Sequence, residues 1–278
     1  MVPASAPTRV ELHSAEFERA RRLIHDIAGI TMSPTKRTMV ANRLSRRLRE
    51  TGYENFGAYL DAVEADDSPE RENFTNALTT NLTSFFREAH HFPILVEHLR
   101  SLGKRAKLTV WSAACSTGEE PYSIAMALTE ANLPQPFRVI ASDVDTAALE
   151  RAQAGVYPIA KAEAVGPDRL RRFFQRGQGP QDGFARVRPE IRALVEFQNI
   201  NLHDAAWPVE GPMDAIFCRN AMIYFARPEQ LAALKRFTPL LAGRGLLFAG
   251  HSENFHYVAG GLLRTLGHTV YAPLGADR

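Results

Sequence analysis

Apolar residues in the N-terminal third of the chain recur three and four apart, the spacing of one helix face. Ser14 can cap a first helix that carries Ala20, Leu23, Ile24 and Ile27 on its apolar stripe. Ser33 followed by Pro34 supplies a cap and a first-turn proline for a second helix. That helix runs to about Glu50 and closes at Gly52, with Val40, Leu44 and Leu48 on its buried side. Phe56, Tyr59, Leu60 and Val63 mark a third helix, and Pro69 to Thr79 a fourth. Few β-branched runs interrupt the pattern, so residues 1–80 are expected to form a small all-α domain.

Near Lys104 the pattern changes. Short apolar runs alternate with helical stretches: "KLTVWSA", a helix from Pro121, "FRVIASD", a helix from Thr146, "LVEFQNIN", "MDAIFCRN", a helix from Pro228, "GLLFAG" and "TVYAP". Apolar strands separated by helices predict an α/β domain over residues 81–278, with a mostly parallel sheet covered on both faces. Such sheets bind ligands at the carboxyl ends of their strands, which directs attention to Ser112, Asp143, Asn201 and Asn220. The alternation breaks between about residues 157 and 195, where a Gly/Pro/Asp cluster at Gly177–Gly183 precedes "FARVRP". This stretch is too long for a plain connection and reads as an inserted β-subdomain, a hairpin at its simplest.

Composition narrows the function. The 278 residues carry a net charge of +2, so no global field favours nucleic acid or membrane. No apolar run is long enough for a transmembrane helix. The opening "MVPASAPTRVELHSAEF" has neither the basic start nor the apolar core of a signal peptide and reads as a short mobile lead. The two cysteines, Cys115 and Cys218, lie in apolar surroundings as small buried fillers, which points to a reducing cytoplasm. A monomer is expected.

The segment "VWSAACSTGEEPYS" has the outline of a nucleotide-binding turn, but with one glycine and two acids. Glu119 and Glu120 suit a helix start yet would repel a phosphate, and no lysine follows the glycine. A nicotinamide-dependent oxidoreductase is disfavoured on that ground. S-adenosylmethionine, which has an ammonium and a ribose but no phosphate, fits better. Ala113, Ala114, Ser116 and Gly118 allow close backbone approach, Glu119 suits the ammonium, Asp143 the ribose hydroxyls and Asn201 the adenine edge. Glu120 and Asp145 remain open as alternatives to Glu119 and Asp143.

These residues resemble a known family. The loop is similar to that of class I S-adenosylmethionine-dependent methyltransferases. "NLTSFFREAHHFPIL", "WSAACSTGEEPYSIAMAL", "ASDVDTAALERAQAGVY", "RNAMIYF" and "GHSENF" resemble the chemotaxis receptor methyltransferases, the CheR family, over nearly the whole chain. The resemblance implies a Rossmann-like fold behind an N-terminal helical domain. It implies methyl transfer to glutamate side chains of chemoreceptor cytoplasmic helices, giving the methyl ester and S-adenosylhomocysteine. It assigns Asn81, Thr83 and Arg87, with Ala114, Gly118, Glu119, Asp143, Asn201, Leu202, Arg219 and Asn220, to the cofactor, and Arg87 and Tyr224 to catalysis.

A glutamate carboxylate is ionised at neutral pH, so methyl transfer to it needs alignment and exclusion of water rather than a general base. Arg87 is expected to orient that carboxylate, and Tyr224 to orient an oxygen or close the methyl pocket. The second helix carries Lys36, Arg37, Arg43, Arg46, Arg47 and Arg49 against a single acid, with Arg43 and Arg47 on one exposed row. A charge run is commonly a solvated face. The resemblance makes an acidic receptor helix its expected partner. It also implies that the β-subdomain takes up a receptor-tail peptide by strand addition in part of the family. His90 and His91 are not expected to bind metal, since neighbouring helical residues diverge by about 100° and no third ligand stands at a suitable spacing. A signalling adaptor that binds without turnover is the competing reading, which the intact Asn81, Arg87, Asp143 and Tyr224 disfavour.

Overall fold

The computed structural model describes residues 10–103, 105–255 and 258–275, and the chain divides into two compact units after Thr80. The first unit has four helices, α1 (Ser14–Ala28), α2 (Arg37–Thr51), α3 (Phe56–Glu64) and α4 (Glu70–Leu78). The expected stripes are its core. Ala20 and Ile24, then Val40, Leu44 and Leu48, then Phe56, Tyr59, Leu60 and Val63, are all buried. The N-terminal cap of α1 is His13 rather than Ser14: its backbone N–H donates to the Glu16 carboxylate at 2.8 Å, the return half of a capping box. Residues 1–9 of the expected mobile lead lie outside the described residues, and its last four residues already form the first turn of α1.

The exposed arginine row expected on α2 requires correction. Arg43 donates to the carbonyls of Ala77 and Thr79 at the end of α4. Arg47 makes a bidentate pair with Glu70 on α4, at 2.7 and 3.0 Å to its two oxygens, and also reaches Glu50. Arg37 donates to the Leu12 carbonyl. Three of the six cations are therefore internal ties of the helical unit. Lys36, Arg46 and Arg49 are exposed.

The second unit opens with α5 (His91–Ser101) and alternates through β1 (Leu108–Ser112), α6 (Glu119–Ala131), β2 (Phe137–Asp143) and α7 (Thr146–Ala154). An excursion follows: β3 (Val156–Pro158), α8 (Ile159–Ala162), α9 (Pro167–Phe173), β4 (Phe174–Arg176), β5 (Phe184–Val187) and α10 (Pro189–Arg192). The main sheet resumes with β6 (Val195–Asn199), β7 (Met213–Phe217), α11 (Arg227–Leu240), β8 (Leu241–Phe248), β9 (Leu263–Gly267) and β10 (Val270–Pro273). Its order is β6-β2-β1-β7-β8-β10-β9; β10 runs antiparallel to β8 and β9, and the other pairs are parallel. This is the class I methyltransferase arrangement expected from the resemblance.

β1 is central, with all five residues buried. Leu108 and Val110 face one apolar layer and Trp111 the other, which is why "KLTVWSA" reads as a continuous apolar run. The chain leaves β1 toward β2 and β6 and returns to β7 on its other side, so a topological switch point lies at the carboxyl ends of β1 and β7. α11 passes into β8 with no intervening residue, Leu240 ending the helix and Leu241 starting the strand. The excursion forms a separate antiparallel sheet in the order β3-β5-β4, one strand more than a hairpin. Gly177 follows β4 at its turn, where a Cβ would stand 1.9 Å from the Gln181 carbonyl oxygen, so no other residue fits. No helix among the described residues is long and apolar enough to cross a membrane.

The role of Arg47 is checked by urea unfolding. Arg47→Ala is expected to lower the unfolding free energy by about 1–3 kcal/mol, through the lost Glu70 pair and packing against α4, whereas Arg49→Ala leaves it within about 0.5 kcal/mol.

Candidate functional site

The expected cofactor loop, residues 113–118, is tied down at both sides. Ala113 N–H donates to the Phe217 carbonyl of β7 (2.8 Å) and Cys115 N–H to the Ser142 carbonyl of β2 (2.8 Å). Gly118 caps α6 at φ +93°, and a Cβ there would meet the Ala152 Cβ at 2.8 Å and the Tyr157 hydroxyl at 2.9 Å. Gly118 is thus the one position of the loop that demands glycine, and alanine and serine serve elsewhere. α6 begins two residues before Pro121, so Glu119 and Glu120 lie in its first turn, where the helix dipole favours acids.

The two glutamates diverge. Glu119 is fully buried; its Oε2 accepts the Thr117 hydroxyl at 2.6 Å and its Oε1 the Lys161 ammonium at 3.0 Å. Glu120 accepts the Ser112 hydroxyl (2.7 Å) and one arm of Arg219 (3.1 Å), and burial pushes its carboxyl up despite that guanidinium. The two aspartates diverge as well. Asp145 caps α7 by accepting Ala148 N–H and also holds the Asn81 amide at 2.6 Å. Asp143, at the end of β2, accepts Ser116 N–H at Oδ2 (2.7 Å) and Asp145 N–H at Oδ1 (2.9 Å). Burial outweighs these bonds and pushes its carboxyl up to about 6. Ser116, at φ +49°, closes the ring by donating its hydroxyl to Asn81 Oδ1 at 2.9 Å.

A second network surrounds Arg219, whose side chain is 1% exposed. Its guanidinium lies between Glu120 and Glu88 (3.1 and 3.3 Å) and donates to the backbone carbonyl of Arg87. Burial would raise the Glu88 carboxyl, but the His251 hydrogen bond and the Arg219 charge hold it at about 2. Asn220 adopts φ +59°; its N–H and that of Met222 both donate to Glu253 at 2.8 Å, and Gly250 N–H donates to it at 2.6 Å. Burial pushes the Glu253 carboxyl up against these three donors.

Of the expected site residues, Asn81 and Asp143 meet around Ser116, and Arg87, Arg219 and Asn220 meet around Glu88. Asn201 and Leu202 form a separate group after β6: Asn201 Oδ1 accepts His203 N–H, and Leu202 C=O accepts Arg236. Ala114 packs half-buried against the apolar layer that contains Trp111. Thr83 is half-buried in the segment that follows Asn81, and Tyr224 ends a 3₁₀ turn, Met222–Tyr224. Arg87 is half-buried, and its guanidinium donates to the Leu82 carbonyl at 2.9 Å. Glu88 and Glu253 were not among the expected residues, whereas Glu120 was left open there as an alternative to Glu119. Glu253 leaves no signal of its role, because its donors are backbone N–H groups, and the only mark of Glu88 is that it directly follows Arg87 in "FFREAHH".

Residues 81–271 match the family model described as CheR methyltransferase, SAM binding domain, and residues 15–79 match CheR methyltransferase, all-alpha domain. The chain belongs to the CheR methyltransferase family. It is 52% identical over 268 residues to the chemotaxis protein methyltransferase of Salmonella typhimurium, covering 95% of this chain and 92% of that one. It is 50% identical to the one of Escherichia coli K12, with the same coverage, and 47% identical to chemotaxis protein methyltransferase 2 of Pseudomonas aeruginosa, covering 98% of this chain and all of that one. It is thus an S-adenosylmethionine-dependent methyltransferase. The donor set suits that cofactor: Glu119 already accepts an ammonium, and each Asp143 oxygen keeps a second lone pair for a hydroxyl.

Removing the Glu253 carboxylate strands three buried N–H groups. Glu253→Ala is expected to lower the unfolding free energy by about 2–4 kcal/mol, measured by chemical denaturation.

Proposed function

We propose that this CheR-family enzyme methylates glutamate side chains of chemoreceptor cytoplasmic helices. The observation that carries the reading is the contrast between two neighbouring arginines. Arg219 is neutralised by Glu88 and Glu120, whereas Arg87 donates to the Leu82 carbonyl and faces no carboxylate among the described residues. An unneutralised guanidinium beside the cofactor loop is suited to a substrate carboxylate.

S-adenosylmethionine, when bound, supplies a methyl group on a sulfonium. In this reading Glu119 takes its ammonium and Asp143 its ribose hydroxyls, while Asn81, Thr83, Ala114, Gly118, Asn201, Leu202, Arg219 and Asn220 line the rest. The acceptor carboxylate is already ionised, so no residue has to remove a proton. Arg87 fixes the direction of that carboxylate, and its own backbone is fixed by Arg219 through the Arg87 carbonyl. A full ion pair would also stabilise the ground state, so Arg87 acts by orientation. Tyr224 orients an acceptor oxygen or closes the methyl pocket.

The exposed cations Lys36, Arg46 and Arg49 of α2 are assigned to an acidic receptor helix. The β-subdomain is assigned to a receptor-tail peptide. Supporting this, its sheet carries a cavity of about 300 Å³ lined by Val156, Arg176, Gln178, Gln181, Phe184 and Arg186.

Transfer of labelled methyl to receptor-containing membranes tests the function. Base-labile label on receptor glutamates is expected, reduced by high salt and by excess receptor-tail peptide; absence of receptor label overturns the reading. Arg87→Ala is expected to cut transfer by about 100-fold with an unchanged circular dichroism spectrum, and near-intact turnover would remove Arg87 from its role.

Cofactor affinity should also follow Asp143. Ribose hydroxyls donate to the ionised carboxylate, so binding favours the deprotonated form. With the carboxyl at about 6 in the free protein, affinity is full well above that pH and falls as it takes up a proton. From pH 7.5 to pH 5 the expected loss is about tenfold by calorimetry, and Asp143→Asn should flatten that dependence.

A further inference from the structure

The start of α5 and the turn before it bring two acceptors, His91 Nδ1 and a Glu88 oxygen, to face each other. His91 is fully buried, and its Nε2 lies 2.9 Å from the His268 carbonyl oxygen. A carbonyl only accepts, so Nε2 carries the proton. The Thr269 hydroxyl, 3.2 Å from the same nitrogen, has its own hydrogen committed to the Ala249 or His268 carbonyl and accepts as well. In the neutral ring Nδ1 is then a bare lone pair. It faces Glu88 Oε2 at 3.8 Å, and neither atom has a hydrogen-bond partner. Glu88 Oε2 has the Arg219 guanidinium at 3.3 Å, so the acceptor left without any partner is the buried His91 Nδ1, a lone pair that calls for a donor or a cation.

A third donor stands beside them. The rings of His90 and His91 have centroids 4.2 Å apart, and one ligand atom from each of Glu88, His90 and His91 lies within 4.8 Å of the other two. The sequence-based objection to a metal was the divergence of adjacent side chains and the lack of a third ligand. Glu88 supplies the third ligand because its backbone turns at φ +52° just before the helix. We propose that Glu88, His90 and His91 form a binding site for a divalent transition-metal ion of the zinc class.

The donor set is two imidazoles and a carboxylate with a fourth position open to solvent on the exposed His90 side. The bond from His91 Nε2–H to a backbone carbonyl is the outer contact that such ligands use to fix their tautomer. His91 Nδ1 and Glu88 Oε2 stand 3.8 Å apart, close to the ~3.3 Å spacing of a tetrahedral set, and the third ligand, His90, is exposed. The ion must compete with Arg219 for Glu88 Oε2, but Arg219 retains Glu120 and the Arg87 carbonyl. The site begins one residue after Arg87, so an ion held there would act on the segment that carries it. The assignment does not depend on the methyl acceptor.

The test is zinc titration of the full chain after chelator treatment, in competition with a chromogenic chelator and without cofactor. One equivalent of Zn²⁺ is expected to bind, at least about tenfold more weakly in His90→Ala and in Glu88→Gln. Cobalt(II) in its place is expected to give the visible spectrum of a nitrogen and oxygen ligand set. His90 is exposed, so His90→Ala keeps the native circular dichroism spectrum and separates ligand loss from unfolding. Absence of stoichiometric zinc uptake by the wild-type chain would mean that water bridges the two acceptors, and overturns the proposal. Equal affinity in His90→Ala, or a thiolate charge-transfer band with cobalt, overturns it as well.

Discussion

A guanidinium with its side chain 1% exposed cannot remain unpaired, and the candidate site is organised by the way Arg219 is neutralised. Glu120 reaches it from the first turn of α6, Glu88 from the turn before α5, and the Arg87 carbonyl closes the set. These groups are far apart in sequence, so pairing one arginine draws together the end of β7, the cofactor loop and the segment bearing Arg87. Removing a single partner would leave a buried charge unbalanced, which destabilises more than the pair itself stabilises. Arg219 is thus neutralised within the protein, whereas the guanidinium of Arg87 donates to the Leu82 carbonyl and has no carboxylate partner among the described residues.

Much of this architecture was legible in the chain. Helical stripes such as Phe56, Tyr59, Leu60 and Val63 have one buried face and one solvent face, so their period survives in the sequence. β1 and β7 are buried on both faces and read as apolar runs. β9 did not register because Leu263–Gly267 is largely exposed and carries no apolar run. Asp143 and Gly118 were visible as polar or small residues at strand and helix ends. The partners of Arg43 and Arg47 were not visible. A cation turned toward a carbonyl of α4 looks, in sequence, the same as one turned toward water. Glu253 was likewise hidden, because its three donors are backbone N–H groups, which leave no trace in residue identity.

Backbone conformation sharpens the same picture. Phe86, Glu88, Ser116 and Asn220 all adopt positive φ without being glycine, and all lie at the candidate site. Each such residue costs about 1 kcal/mol or more relative to glycine and persists only where its surroundings hold it. Here the holders are identifiable: Asp143 for Ser116, Glu253 for Asn220, and Arg219 with His251 for Glu88. Glycine would relieve the backbone but would discard the side chains that make the two networks, so the turns retain their strain.

The direct passage from α11 into β8 bears on how this family can vary in length. Helix and strand share a peptide bond, and the irregular stretch falls just after it, where Met213 pairs with Leu241 but Ala215 with Leu246. From Leu246 to Phe248 the register against Ala215–Phe217 is regular, and a one-residue insertion or deletion in that part would exchange the faces of β8. It would also carry Gly250, and with it the Glu253 carboxylate that cradles Asn220, away from β7. Length changes in this half of the chain are therefore expected to accumulate elsewhere, in the excursion between β3 and β5, whose turns lie outside the main sheet.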